Sequence, residues 1–266
     1  MKITAVNTYF VRPRWGFVKI ETDEGISGWG EAVLEGHAAA VLACVQEYKD
    51  YLIGQDPARI EDIWSTIYRA GFYRGGGVLM SAISAVEVAL WDILGKSLGV
   101  PVYKLLGGKT MDKVRIYVNG WFAGAKEPEE FGAKAKEAVK RGVTAMKWDP
   151  FGKNYLQISN RELDKALRCI AAVREAVGDE VDLLIEAHGR FDVPTGIKIA
   201  QEVAQFKPMF LEEPVPPNNL EALAAVREKS PVAISAGERL YTRFDYNELF
   251  RRRAADYIQP DISHAG

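Results

Sequence analysis

Histidine and cysteine are scarce in this sequence, with three of the first and two of the second among 266 residues. Cys44 and Cys169 stand far apart with no CxxC or CxxH spacing, so neither a zinc site nor a redox pair is indicated. Both are expected to be reduced residues on helix faces. An excess of charge of one sign is also missing: 34 Lys and Arg against 36 Asp and Glu give a formal net charge of -2. That balance removes the electrostatic case for nucleic acid or an anionic membrane surface as a partner. No run comes near the roughly 18 apolar residues that a membrane helix needs, and Met1-Lys2-Ile3-Thr4 leads into alternating polar and apolar residues with no signal-like apolar core. The expectation is a cytoplasmic protein that acts on a small molecule. With 48% hydrophobic and 26% charged residues, the chain can build a sizeable core.

Residues 3–31 read as an antiparallel meander: Ile3 to Val11, Phe17 to Thr22 and Ile26 to Glu31, reversed at Asp23-Glu24-Gly25. Helical periodicity follows in Ala38 to Leu52, Ala58 to Arg69 and Leu79 to Leu98, so residues 1–113 form an α+β domain. Beyond Gly107-Gly108 the pattern changes to short β-rich runs alternating with helices, which is the mark of repeated βα units on a parallel sheet. Residues 114–266 are therefore a second domain. Its expected strands are Val114 to Val118, Ala145 to Trp148, Asp182 to Glu186, Met209 to Glu212, Val232 to Ala236 and Tyr257 to Gln259. A closed barrel of this kind needs eight βα units and about 250 residues, so the expected barrel stops after its sixth strand.

Three acids end successive strands: Glu186 after Leu183-Leu184-Ile185, Glu212 after Phe210-Leu211, and Glu238 after Ala236-Gly237. Each stands 26 positions from the next, one βα unit, which predicts three carboxylates at equal height around the C-terminal mouth of the sheet. Carboxylates that converge in this way need a cation between them, and all-oxygen ligation suits Mg2+. Taken singly, each could equally be a solvated loop acid or a helix cap. His188 follows Glu186 by two residues, so if the strand persists both side chains face the mouth, where a histidine can act as general acid or base. Lys147 and Asp149 share a face by the same period and could either hold a hydroxylated anionic substrate or pair with each other.

Several segments resemble the acid-sugar dehydratases of the enolase superfamily, closest to galactonate and gluconate dehydratases. In the first domain these are Pro13-Arg14-Trp15, Gly28-Trp29-Gly30-Glu31, Gly54-Gln55-Asp56-Pro57 and Gly71-Phe72-Tyr73-Arg74-Gly75-Gly76. In the second they are His188-Gly189-Arg190, Glu212-Glu213-Pro214, Ala236-Gly237-Glu238-Arg239 and Gln259-Pro260-Asp261-Ile262-Ser263-His264-Ala265-Gly266. The resemblance implies an α+β capping domain before an α/β barrel, and a Mg2+ held by Glu186, Glu212 and Glu238. It also implies loss of water from an aldonate to give a 2-keto-3-deoxy acid. His188 would be the general acid that protonates the departing 3-hydroxyl, and Asp261 a second catalytic residue. Trp15, Tyr73 and Arg74 would close over the substrate, with Arg190, Glu213, Arg239 and His264 also facing it. A lysine or histidine base working with Mg2+ is a property of enolase-superfamily sites as a class and is not a reading of this sequence.

The sequence departs from the family pattern in three places. Most of these dehydratases carry aspartate where Glu186 stands, and Lys147-Trp148-Asp149-Pro150-Phe151 looks more like gluconate than galactonate dehydratase. Asp149 occupies the place of a second lysine in mandelate racemase-type relatives, which disfavours a lysine-base racemase. The family's base is a histidine after the seventh strand paired with the aspartate that Asp261 matches, and none of His37, His188 and His264 fills that place. A sheet that stops at six strands would leave an exposed edge, and the chain alone is expected to be weakly stable unless another copy, as in a homo-oligomer, covers it. The alternatives are an inactive fragment that binds metal or sugar acid without turnover, and another superfamily reaction such as racemisation.

Overall fold

The computed structural model describes residues 1–266, which divide into two compact units. The first comprises Met1–Lys113, Arg239–Asp245 and Pro260–Gly266; the second comprises Val114–Glu238 and Tyr246–Gln259.

In the first unit, β1 (Ile3–Val11), β2 (Trp15–Thr22) and β3 (Ser27–Glu31) form an antiparallel sheet in the order β1-β2-β3. Gly16, Val18, Ile20 and Thr22 of β2 are buried while the residues between them are partly exposed, as period-two patterning requires. Helices α1 (Ala38–Glu47), α2 (Lys49–Leu52), α3 (Ile60–Ala70), α4 (Gly77–Leu98) and α5 (Val102–Leu105) follow. The single helix expected over 38–52 is interrupted at Tyr48, and α5 was not foreseen.

Glycine explains how α4 meets the sheet. A Cβ on Gly28 or Gly30 would run into the carbonyl oxygens of Ala89 and Ala85, so β3 and α4 touch backbone to backbone along a face of small residues. Trp29, between the two glycines, points the other way and is exposed. Contrary to expectation, α4 is long and apolar enough to cross a membrane by length and composition. It is instead largely enclosed here, with Ile83, Val86, Leu90 and Ile93 in the main core.

The second unit holds a parallel sheet, β4 (Ala145–Trp148), β5 (Asp182–Glu186), β6 (Phe210–Glu212), β7 (Ile234–Ala236) and β8 (Tyr257–Ile258), in that order. Helices α6 (Pro128–Lys140), α7 (Asn160–Val177), α8 (Val193–Val203) and α9 (Leu220–Lys229) alternate with them. Helix α10 (Arg243–Arg251) begins in the first unit and ends in the second. Helix starts follow capping chemistry: the side chains of Ser159, Asp192 and Asn219 accept from the backbone N–H of Glu162, Thr195 and Ala222.

The strand expected over 114–118 is corrected by the structure, which makes the sheet five-stranded instead of six-stranded. Only Val118 pairs, through a bridge to Met146 made by two backbone hydrogen bonds, while Val114 and Ile116 are 76% and 71% exposed. Apolar β-branched residues with nothing packed on them lack the burial that a strand needs.

Candidate active site

The C-terminal ends of β4, β5 and β6 gather the chemistry of the second unit. Parallel pairing aligns Glu186 with Glu212 as register partners, so their side chains leave the sheet side by side. Between them lies the Lys147 ammonium, whose Nζ is 2.9 Å from Glu186 Oε2 and 2.7 Å from Glu212 Oε2. All three residues are buried. Burial pushes the lysine toward its neutral form, but the charges of Glu186 and Glu212 outweigh that and its pKa rises. One ammonium between two carboxylates leaves the site short of positive charge. Burial first, and then the Glu186 charge, push the Glu212 carboxyl up to about 8 against the pull of Lys147. Its Oε1 is buried without a hydrogen-bond partner, a costly state for a carboxyl oxygen whether or not the group carries its proton.

Glu238 does not share that height. The register partner of Glu212 is Ser235, and Glu238 lies three residues further on, past Gly237 with its φ of +133°. No three His, Cys, Asp or Glu side chains are gathered in metal-liganding geometry. Equal spacing in sequence did not become equal height because β7 ends at Ala236 and the chain turns before reaching Glu238.

His188 departs from the strand in the same way. β5 ends at Glu186, and His188 takes the left-handed conformation with φ +52°, so the two-residue period no longer applies. Its backbone N–H donates to Glu186 Oε1 at 2.7 Å, while its ring Nδ1 lies 2.7 Å from Asp149 Oδ2. The same Oδ2 accepts from Arg190 Nη2 at 2.6 Å, and Asp149 Oδ1 accepts the Phe151 N–H at 2.8 Å. Arg190 also donates to the carbonyls of Ala187 and Gly152. The hydrogen bond to Asp149 raises the His188 pKa, with smaller help from the charges of Glu186 and Asp149 and against burial and Arg190. Because the carboxylate only accepts, Nδ1 carries the hydrogen and Nε2 is the nitrogen left to face a ligand. The ring is 56% exposed. Lys147 and Asp149 therefore do not pair with each other; each serves a different partner.

Glu213 is buried with φ +39°, its N–H donating to the Ser235 carbonyl and its own carbonyl accepting from Gly189. The remaining expected residues lie in the first unit. Trp15 opens β2, half exposed, with the Arg14 guanidinium over its ring. Tyr73 and Arg74 lie in the exposed loop between α3 and α4, Arg74 Nε reaching the Gly71 carbonyl at 3.5 Å. Arg239 opens the 239–245 segment, and Asp261 and His264 lie in the 260–266 segment.

Two contributors were not singled out from the sequence. The Tyr117 ring lies 5.5 Å from Lys147 Nζ, and the Trp121 indole donates to the Lys147 carbonyl at 3.0 Å. The signal for Tyr117 was present in Arg115-Ile116-Tyr117-Val118, an aromatic near the end of the segment expected as the first strand of the second domain.

Residues 3–107 match the mandelate racemase/muconate lactonizing enzyme N-terminal domain, and residues 130–266 the enolase C-terminal domain-like family. Over 266 residues the chain is 46% identical to a D-galactonate dehydratase of Pectobacterium atrosepticum and 46% identical to another of Verminephrobacter eiseniae, covering 100% of this chain and 69% of each relative. A solved enolase-superfamily member from Salmonella Typhimurium superposes with a TM-score of 0.95 at 34% identity, covering 100% of this chain and 74% of the other. A mandelate racemase/muconate lactonizing enzyme-like protein from Rubrobacter xylanophilus gives 0.91 at 38% identity, covering 100% and 73%.

Proposed function

The chain belongs to the enolase superfamily, and on that premise we propose that it is a Mg2+-dependent hydro-lyase. It removes water from an aldonic acid, galactonate or gluconate, to give a 2-keto-3-deoxy acid. The observation that carries this reading is the buried Lys147-bridged pair of Glu186 and Glu212, with His188 held on Asp149 beside it.

Two of the three expected ligands, Glu186 and Glu212, stand together with chemistry that suits a divalent cation, while Glu238 is not gathered with them. The donor set is all oxygen, Glu212 Oε1 is buried without a partner, and the carboxylates outnumber the ammonium that compensates them. Glu186 and Glu212 would hold Mg2+, with Glu238 drawn in as the third ligand on binding, and the bound ion would offset the charge that builds on the substrate carboxylate as the neighbouring proton leaves. Lys147 adds a fixed ammonium to that offset, placed before reaction and shielded from water. His188, in the imidazolium form that its Nδ1 hydrogen bond to Asp149 favours, delivers the Nε2 proton to the departing 3-hydroxyl, which leaves as water. Arg190 holds Asp149 in place through the shared Oδ2, and Asp261 is the carboxylate that would pair with and orient the base that takes the substrate proton. Trp15, Tyr73, Arg74, Glu213, Arg239 and His264 are assigned to substrate contacts. The protein is further proposed to be cytoplasmic and to work as a homo-oligomer.

Incubation with Mg2+ and a panel of aldonic acids, assayed for 2-keto-3-deoxy acid with and without chelator, tests the proposal. Chelator-sensitive product from galactonate or gluconate is the expected result. Turnover without loss of water would replace the dehydratase reading with racemisation, and no turnover by folded protein would overturn it.

A further inference from the structure

Both ring nitrogens of His264 face protein partners, so the substrate contact assigned to it is not made through them. Its Nδ1 lies 2.9 Å from Ser81 Oγ, and its Nε2 lies 3.4 Å from Asp261 Oδ2. All three residues belong to the first unit. Ser81 is fully buried on α4, among apolar neighbours, so its hydroxyl has no water to turn to. At 3.4 Å the contact to Asp261 is electrostatic and not a hydrogen bond, but a carboxylate favours hydrogen on the ring nitrogen that faces it, which leaves Nδ1 to accept from Ser81. Asp261 Oδ1 is occupied in turn by the Ser263 N–H at 2.8 Å.

Ser84, also buried, repeats the device further along the same helix: its Oγ accepts the Gly266 N–H at 2.7 Å. A Cβ on Gly266 would run into Met80, so the 260–266 segment lies tight against α4 and the start of the buried face. Serine, histidine and aspartate in a row invite a hydrolase reading, but a nucleophile must meet its substrate and Ser81 has no exposed surface.

We infer that Ser81 is a positioning residue: its hydroxyl donates to His264 Nδ1, holds the ring as the Nε2–H tautomer, and through it orients the Asp261 carboxylate. The kinetic consequence rests on the proposed catalytic role of Asp261, whereas the tautomer does not.

Nitrogen-15 NMR of histidine-labelled full chain, with the His264 signals assigned from a His264→Gln spectrum, tests this. The expected wild-type spectrum shows hydrogen on Nε2 and a hydrogen-bonded Nδ1. Ser81→Ala loses the Nδ1 hydrogen-bond signature, Ser81→Thr restores it, and Ser84→Ala leaves it unchanged. On the aldonate substrate, Ser81→Ala lowers kcat about tenfold with KM little changed. Hydrogen on Nδ1 in the wild type, or a Ser81→Ala spectrum identical to wild type, overturns the inference. The wild-type spectrum decides it alone if Ser81→Ala does not fold. A chain that turns over no aldonate yet shows the expected tautomer supports the Ser81 contact and counts only against the proposed reaction.

Discussion

The two units bury polar groups in opposite ways. In the first, the buried polar residues are hydroxyls: Thr22, Ser81, Ser84 and Thr242. In the second they include Lys147, Glu186, Glu212 and Glu213, three of which meet where parallel strands end. An antiparallel sheet with one face on a helix can satisfy its ladder and bury only apolar side chains or small hydroxyls on that face. The strand ends of a parallel sheet open onto loops, so charges can be placed there on rigid supports at the cost of desolvation. The first unit is thus arranged for packing, and the second tolerates instability where it concentrates charge.

Breaking the comparison at its sharpest point means removing the lysine. Lys147→Met should leave Glu186 and Glu212 facing each other and lower stability by about 4 kcal/mol in urea unfolding. Added Mg2+ should recover part of that loss, and Lys147→Met combined with Glu212→Leu should be more stable than Lys147→Met alone. A single variant as stable as wild type would show that the buried charges are not coupled.

The corresponding injury to the first unit is one of volume. Gly30→Val drives side-chain atoms into the Ala85 carbonyl and should cost about 3 kcal/mol, with no response to Mg2+. A smaller effect is expected at Arg174. Its guanidinium donates to the carbonyls of Phe206, Gly178, Val181 and Lys207, tying the end of α7 to the approaches of β5 and β6. Arg174→Met should lose about 2 kcal/mol by the same unfolding assay, and a neutral result would mean that water replaces it fully.

The smallest effect tests charge away from the site. Asp256 accepts from Arg227 and from the Ile234 N–H, and the Arg227 hydrogen bond holds its pKa below the usual carboxylate value. A depressed carboxylate stabilises the fold above its unfolded pKa of about 3.9, and that contribution is lost as pH falls through the lower folded value. Asp256→Asn should therefore lower stability at pH 7 by on the order of 1 kcal/mol and flatten the acid limb of the melting profile below about pH 4. An unchanged acid limb would remove Asp256 from the account.

Much of the architecture was legible because it is written in local periodicity. β1, β4, β5, α7 and α9 have the ends that alternation and caps predict. Residues 114–118 were not legible, since their apolar alternation resembles a strand until one asks what covers it. The site was legible as a set of residues, with Lys147, Asp149, Glu186, His188, Arg190 and Glu212 all drawn together, yet the partners of Lys147 and Asp149 were left open and the reach of the strand period was overestimated. A period-two argument holds only while the strand lasts, and β5 ends two residues before His188.

By itself the sequence determined the succession of elements, the family likeness and the identity of the charges at the strand ends, because each is recorded in spacing along the chain. Only the tertiary structure decided who partners whom. Lys147 meets carboxylates 39 and 65 residues away, Asp149 turns to His188 and Arg190, and Ser81 finds His264 at a separation of 183. The reason is physical: a buried charge or hydroxyl takes the partner that its desolvated surroundings place within hydrogen-bond reach, and that reach is set by the packing of whole elements.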